Sequence, residues 1–460
     1  MKTTHHLTVR LGIITALAGF ISFNTSALDA DPALRPAWAS DYGVDQFGTW
    51  ADLKVTGHGL TAVQRFRLIP SGQFIMGQPV REDWGWKPET PHEVTITKDF
   101  WLADSECSQR LWVAVTGYTL EGEKSPVTGY QHQGWKSPKA DDLELPVVMV
   151  NTTDIRGYVG DKPSDCEQSA AFFWRLQKFI FPGRNADEDN KAAWESHRGW
   201  APVDLPSEAQ WEYACRANEG KMGPYSGEPG TIVIDTNGCA PALNPVAWYG
   251  HNSKDQTGEE GTLPTGEFGT PHHVKRKLPN AWGLYDMLGN VYEWVGDWPQ
   301  EDLGTNAVTD PLGMTGRKGM GFRGGGFGCG LKGSGSNTRD VRPTFRAMIH
   351  QNDRARDIGF RIRISASTSN TVPKQPPAPI VSSTRTSTPT LSGKATPGWE
   401  VRIWNGHTLV AAVEPDRNGV WKWKSPKPLV SGSHSFSVRI RNQFGMSPPS
   451  PQLAFNVANQ

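Results

Sequence analysis

The sequence has few cysteines, no charge imbalance and a single long apolar run, and each scarcity removes a class of protein. Lys+Arg and Asp+Glu stand at 47 each in 460 residues, so no net field draws the chain toward nucleic acid or an anionic membrane surface. The five cysteines (Cys107, Cys166, Cys215, Cys239 and Cys329) include no Cys-x-x-Cys spacing, which speaks against a zinc ribbon or a thioredoxin-type redox pair. Their odd count leaves at least one thiol free if all pairing is intramolecular. Beyond Phe23 no apolar run reaches roughly eighteen residues, so no membrane insertion of the mature chain is expected. Gly (49), Pro (35) and Trp (19) are plentiful instead. They suit a turn-rich fold of short elements with large aromatic plugs, rather than a helical bundle.

The one apolar run, Leu11 to Phe23, follows Lys2 and Arg10 and precedes Thr25-Ser26-Ala27. It reads as a secretory signal over residues 1–27, with export to the periplasm, cell surface or medium. No cysteine follows it to carry a lipid anchor. Residues 28–61 lack clear periodicity and read as an N-terminal leader. Ordered packing is expected to start at the alternating strand Val63 to Ile69, turn at Pro70-Ser71-Gly72, and return through Phe74-Ile75-Met76-Gly77. Helices are predicted over Ser105–Thr116, over Ser164–Phe179, and from Pro206 to Cys215 with Ser207 as the cap. A Ser/Thr/Pro-rich linker, residues 367–380, follows the main domain of residues 62–366. Over residues 381–460, alternating stretches such as Val401-Arg402-Ile403-Trp404 and Val420-Trp421-Lys422-Trp423 are split by Asn-Gly and Ser-Gly turns. They predict a small all-β sandwich, and the tail resembles bacterial Ig-like repeats.

Several motifs occur in a fixed order in the main domain: Arg67 to Gly77; Leu205-Pro206-Ser207-Glu208-Ala209-Gln210-Trp211-Glu212-Tyr213-Ala214; Asn280 to Trp294; Arg323-Gly324-Gly325; and Gly359-Phe360-Arg361. In these the domain resembles the formylglycine-generating enzyme (sulfatase-modifying factor) family. The resemblance implies an α+β fold, the family's loop-rich variant of the C-type lectin fold. Trp211, Trp282, Trp294 and Trp298 are expected to be architectural anchors.

Two chemical sites follow from the resemblance. It places a structural Ca²⁺ on the loop Asp286 to Glu293, with carboxylates from Asp286 and Glu293 and backbone oxygens from Gly289 and Val291; these are the hard donors such an ion takes. The alternative reading of the residues is that Asp286 caps a turn and Glu293 pairs with an arginine. The resemblance also implies oxidation of a substrate cysteine with O₂ at Cu(I) held by two thiolates. Here Cys329 takes the first cysteine position, Ser334 the second, and Gly326 replaces the active-site serine. A hydroxyl is too hard a donor to stand in for a thiolate on Cu(I), so Cu(I) is disfavoured and ordinary formylglycine formation is not expected.

His272-His273 and His350 lack facial-triad spacing and read as surface-loop residues. Arg339, Arg342, Arg346, Arg354 and Arg356 read either as a face ion-paired with Asp340, Asp353 and Asp357, or as a groove for an acidic or peptide ligand with Ser336-Asn337-Thr338. Three functional classes result. The first is recognition of a protein or glycan ligand; the second is an oxidoreductase using Cys329 in a non-standard site; the third is a structural component of an envelope or secretion assembly.

Overall fold

A computed structural model describes residues 35–78, 89–117, 143–159, 162–163, 171–181, 202–217, 224–225, 232–236, 238–253, 269–297, 303–311, 319–330, 337–366, 380–381 and most of 388–457. The chain is mostly β with a few short helices, and its regular structure begins earlier than expected. Strands β1 (Asp41–Asp45) and β2 (Gly48–Gly57) lie inside the stretch read as a leader, and β2 pairs along its whole length with β3 (Leu60–Ile69). The turn between them, His58-Gly59, has φ of 50° and 77°, the pair of positive values that matches hairpin twist. Period-two alternation governs β3: Ala62, Gln64 and Phe66 are buried while Thr61 and Val63 face out.

The return strand is also placed differently. The segment Phe74 to Met76 falls in β4 (Gly72–Met76), which pairs with β5 (His92–Ile96) in a separate sheet rather than with β3. The main sheet continues from β3 to β6 (Phe100–Ala103), and the later strands β9 (Val203–Asp204) and β15 (Arg363–Ser365) complete its order β1-β2-β3-β6-β15-β9. Strands β7 (Tyr158–Val159) and β8 (Lys162–Pro163) form a small ribbon. A second sheet has the order β13-β12-β10-β14, from β10 (Tyr292–Trp294), β12 (Gly319–Arg323), β13 (Ala347–His350) and β14 (Ile358–Phe360). The short strand β11 (Val308–Thr309) joins β5.

Four α-helices are described. Helix α1 (Gln109–Thr116) is capped by Ser108, whose side chain accepts from the Leu111 N–H, and it ends on Gly117 at φ 80°. It packs on β2 and β3 and buries Leu111, Trp112 and Val115, with the Trp112 ring stacked on Phe172. The five-residue α2 (Thr152–Arg156), unforeseen in the sequence, carries a capping box between Asn151 and Asp154. The predicted second helix is seen as α3 (Phe172–Ile180); its expected start at Ser164 lies outside the described residues. Helix α4 (Glu208–Arg216) follows Ser207, whose side chain and that of Gln210 cap each other's backbone. It buries Glu208, Trp211 and Glu212 along with its apolar residues, and buried carboxylates demand cations. That demand organises the centre of the domain.

Beyond residue 380 a separate core of Leu391, Val401, Ile403, Trp421, Phe436 and Val438 lies between two small sheets. One is β16 (Ile380–Val381), β17 (Thr390–Lys394) and β20 (Val420–Lys424). The other is β19 (Thr408–Val413), β18 (Glu400–Asn405), β21 (Gly432–Asn442) and β22 (Gly445–Met446), with β23 (Leu453–Val457) also on β21. Among the described residues no helix is long and apolar enough to cross a membrane.

Candidate functional site

The loop from Asn280 into β10 runs through the middle of the domain. It reaches its shape through left-handed residues at Gly283, Asp286, Gly289 and Asn290. Glycine is required at 289, because a Cβ there would lie 2.3 Å from the Trp248 carbonyl oxygen. The Asn290 side chain ties the loop down, accepting from the His272 N–H at 2.9 Å and donating to Glu106 Oε2 at 2.8 Å. Glu106 Oε1 accepts from the Val291 N–H at 3.1 Å. No motif pointed to Glu106, which stands behind the loop and is fully buried.

The residues expected to hold calcium are brought together but differ in their commitments. Glu293 is clamped by Arg361, Oε1 to Nη2 at 2.6 Å and Oε2 to Nε at 2.7 Å, and Oε2 also accepts the Trp211 indole N–H at 2.7 Å. Asp286 accepts the Lys275 N–H through Oδ2 at 2.7 Å, while its Oδ1 is buried with no hydrogen-bond partner. Burial, above the other influences, pushes the Asp286 carboxyl up to about 6, and pushes Glu106 well above its usual range with help from Asp286 and Glu293. Two buried carboxyls are thus disfavoured as anions beside a third that Arg361 holds. The donors fit a hard cation in part: Asp286 Oδ1 is open, and Glu293 is not. Among the described residues no three His, Cys, Asp or Glu side chains converge as a metal cluster.

Cys329 sits on the turn after β12, fully buried. Its sulfur accepts from the Gly326 N–H at 3.2 Å and lies 3.0 Å from the Tyr292 hydroxyl. Burial first, and Asp340 after it, push the thiol far up from its ordinary value, so at rest it is a thiol and not a thiolate. It forms no disulfide. Cys239 occupies the neighbouring loop, which Thr338 links through a hydrogen bond to the Gly238 carbonyl. The Cys239 sulfur is engaged by Tyr249 and Asn244 at 3.9 and 3.8 Å. Ser334 lies outside the described residues, as does Cys166. One protonated thiol among a phenol and a peptide N–H does not fit a two-thiolate Cu(I) centre.

The arginine cluster is resolved in a way neither expectation described. Arg346 forms a two-pronged pair with Glu208 of α4 at 2.6 and 2.7 Å, Arg342 pairs with Glu89, and Arg354 pairs with Asp154 at 2.6 Å. Asp340, one of the expected local partners, instead accepts from the Asn337 N–H at 2.9 Å. Arg346 and Arg354 reach across the chain to neutralise carboxylates of α4 and α2, and Arg342 does the same for Glu89. Thr338 is buried, and Ser336 lies outside the described residues. His272 is not a loose surface residue, since it stacks on Trp248 at 3.7 Å between ring centroids. His350 ends β13, exposed, on a strand rather than a loop. Trp211 and Trp294 are wholly buried as expected, Trp282 is half-buried, and Trp298 lies outside the described residues.

Residues 56–366 match the family model of the sulfatase-modifying factor enzyme 1-like domain. The chain is similar to the formylglycine-generating enzyme of Streptomyces coelicolor, 26% identical over 269 residues, 57% of this chain and 78% of that one. It is similar to the formylglycine-generating enzyme of Mus musculus, 32% identical over 136 residues, 28% of this chain and only 32% of the mouse protein. It is also similar to the chaperone protein LppX of Paenibacillus barcinonensis, 26% identical over 220 residues, 45% of this chain and 64% of that one. With the family's motif residues gathered around the Trp211–Glu293–Arg361 centre, the chain belongs to the sulfatase-modifying factor enzyme 1-like family.

Proposed function

We propose that the protein is an exported recognition protein in which a family domain without ordinary formylglycine-generating activity binds a protein or glycan ligand. The observation that carries this reading is the setting of Cys329: wholly buried and already engaged by Gly326 and Tyr292. A thiol so placed is a poor ligand for a soft metal. The small β tail is taken as an Ig-like spacer or docking module. The similarity of the chain to a protein named as a chaperone supports this reading.

The test is an anaerobic Cu(I) titration of the full chain, followed by O₂ consumption with a Cys-x-Pro-x-Arg peptide. The expected outcome is no stoichiometric Cu(I) and no formylglycine. One tightly bound Cu(I), lost in Cys329→Ala and accompanied by turnover, would instead establish the oxidoreductase reading.

A structural Ca²⁺ on the Asp286–Glu293 loop is proposed on one ground: the buried Asp286 Oδ1, without a hydrogen-bond partner, beside the buried carboxyls of Glu106 and Glu293. Such an ion would be held by that oxygen and the Gly289 and Val291 carbonyls, and would relieve the carboxylate repulsion. Binding at 100 times Kd stabilises by about 2.7 kcal/mol, so chelator should lower the melting temperature of the wild-type chain. The same chelator should leave Asp286→Ala unmoved; an equal drop in both would remove the site.

A further inference from the structure

The balance of charge over the whole chain hides an uneven distribution. Residues 381–460 carry nine Lys and Arg against three Asp and Glu, which leaves 38 against 44 for the rest of the sequence. The tail is therefore a cationic module, and its three acids are already engaged. Glu400 pairs with the buried Arg402, Glu414 lies 3.7 Å from Lys98 Nζ, and Asp416 Oδ1 accepts the Asn418 and Val420 N–H groups at 2.8 and 2.9 Å. Among the described residues none of these acids pairs with Lys394, Lys422, Lys424 or Lys427, all of which are exposed.

Strand register gathers three of these lysines on one face. Side chains alternate along β20, so Trp421 and Trp423 turn toward the core while Val420, Lys422 and Lys424 face out. On β17, Lys394 stands opposite Val420, Ser392 opposite Lys422 and Thr390 opposite Lys424. Same-face neighbours lie about 7 Å apart along a strand, and diagonal pairs about 7–8 Å. These spacings fall within the Debye length of about 8 Å at physiological salt, so the three ammonium groups act on an anion together. The loop leaving β20 adds the exposed Lys427. With both tryptophans of β20 turned inward, this face has cations, hydroxyls and an aliphatic group, and no ring on which a base or a sugar could stack.

We propose that this face of the tail, Lys394, Lys422 and Lys424 with Lys427 beside them, docks the protein on a lipid surface of anionic phosphate headgroups. The ammonium groups meet the phosphates, the Ser392 and Thr390 hydroxyls supply hydrogen-bond donors between them, and Val420, 41% exposed, adds an apolar contact. Binding is peripheral, since among the described residues no helix is long and apolar enough to cross a membrane. The excess of acids in the rest of the chain is repelled by the same surface, which turns the main domain away and leaves it free for its own ligand. The inference deepens the docking role proposed for the tail and rests on it, whereas the copper test concerns the main domain.

The test mixes the full chain with vesicles of phosphatidylglycerol and phosphatidylcholine and follows binding by co-sedimentation. Binding should fall steeply as salt is raised, and vesicles of phosphatidylcholine alone should take none. A lysine near an anionic surface contributes roughly fivefold, so Lys394→Gln, Lys422→Gln and Lys424→Gln together should weaken binding on the order of 10²-fold. The same three positions changed to Arg should retain it, which separates lost charge from a misfolded tail. Equal binding to neutral vesicles, or unchanged affinity in the glutamine variant, overturns the proposal. Capture of the chain by soluble polygalacturonate, with none by the anionic vesicles, overturns it equally. A chain that fails on vesicles and still takes no Cu(I) would remove the docking surface alone and leave the reading of the main domain standing.

Discussion

Arg361→Ala is expected to lose about 3–5 kcal/mol of stability, the cost of removing one partner from a buried ion pair. Arg361 is wholly buried and is the cation nearest to three buried acids. Without it, Glu293 would keep only the Trp211 N–H, and the repulsion with Glu106 and Asp286 would go uncountered. Urea denaturation checks this through its midpoint. Arg361→Lys should recover little, because an ammonium cannot reproduce the two-pronged geometry. The double substitution Glu293→Gln, Arg361→Met should lose less than Arg361→Ala alone, since it removes the Glu293 charge together with its partner. Equal losses in the single and double variants would show that the packing of the guanidinium matters, and its charge does not.

Trp211→Ala should cost a comparable 3–5 kcal/mol, for the cavity left by a large buried ring. The indole packs against Gly324 and beneath the Arg323 guanidinium, 5.3 Å from its ring centre, while its N–H holds Glu293. Trp211→Phe separates these roles. It keeps most of the ring and removes the donor, so its loss should be near the 1.5–3 kcal/mol of a hydrogen bond to a charged group. Thermal melts of the two variants should therefore differ clearly; equal melting temperatures would place the whole effect in the hydrogen bond.

Local signals in the sequence were good guides where local physics decides the outcome. The Ser207 cap and the run through Trp211 and Cys215 located α4, and the alternation from Val63 to Ile69 located β3. The order of motifs placed Glu293, Arg323 and Arg361 in one domain, and Arg361 pairs with Glu293 while Arg323 pairs with Glu212. Contacts between distant segments left no such trace. Glu106 meets Asn290 at a separation of 184 residues, and Arg342 meets Glu89 across 253. No local pattern encodes such pairings, so the arginines read as a face of their own. The β1–β2 segment was missed for a related reason: in β2 Ala51, Asp52 and Leu53 are buried in succession, which blurs the period-two signature. Strand β4 was expected beside β3 because hairpins are the usual outcome of a short turn. It pairs instead with β5, in another sheet.

The position of β15 gives the domain a late moment of completion. Those three residues, Arg363 to Ser365, pair with β6 on one side and β9 on the other, strands formed from residues 100–103 and 203–204. A growing chain that has not yet delivered them holds two bare strand edges, and also lacks Arg361 for the acids waiting at its centre. Bare edges invite pairing with other chains, and partly built domains are the species that aggregate. Assembly of the nascent protein is therefore expected to resemble closing a zip from its last tooth: incomplete chains stay open and in need of protection, until one short strand shuts the sheet and neutralises the core together.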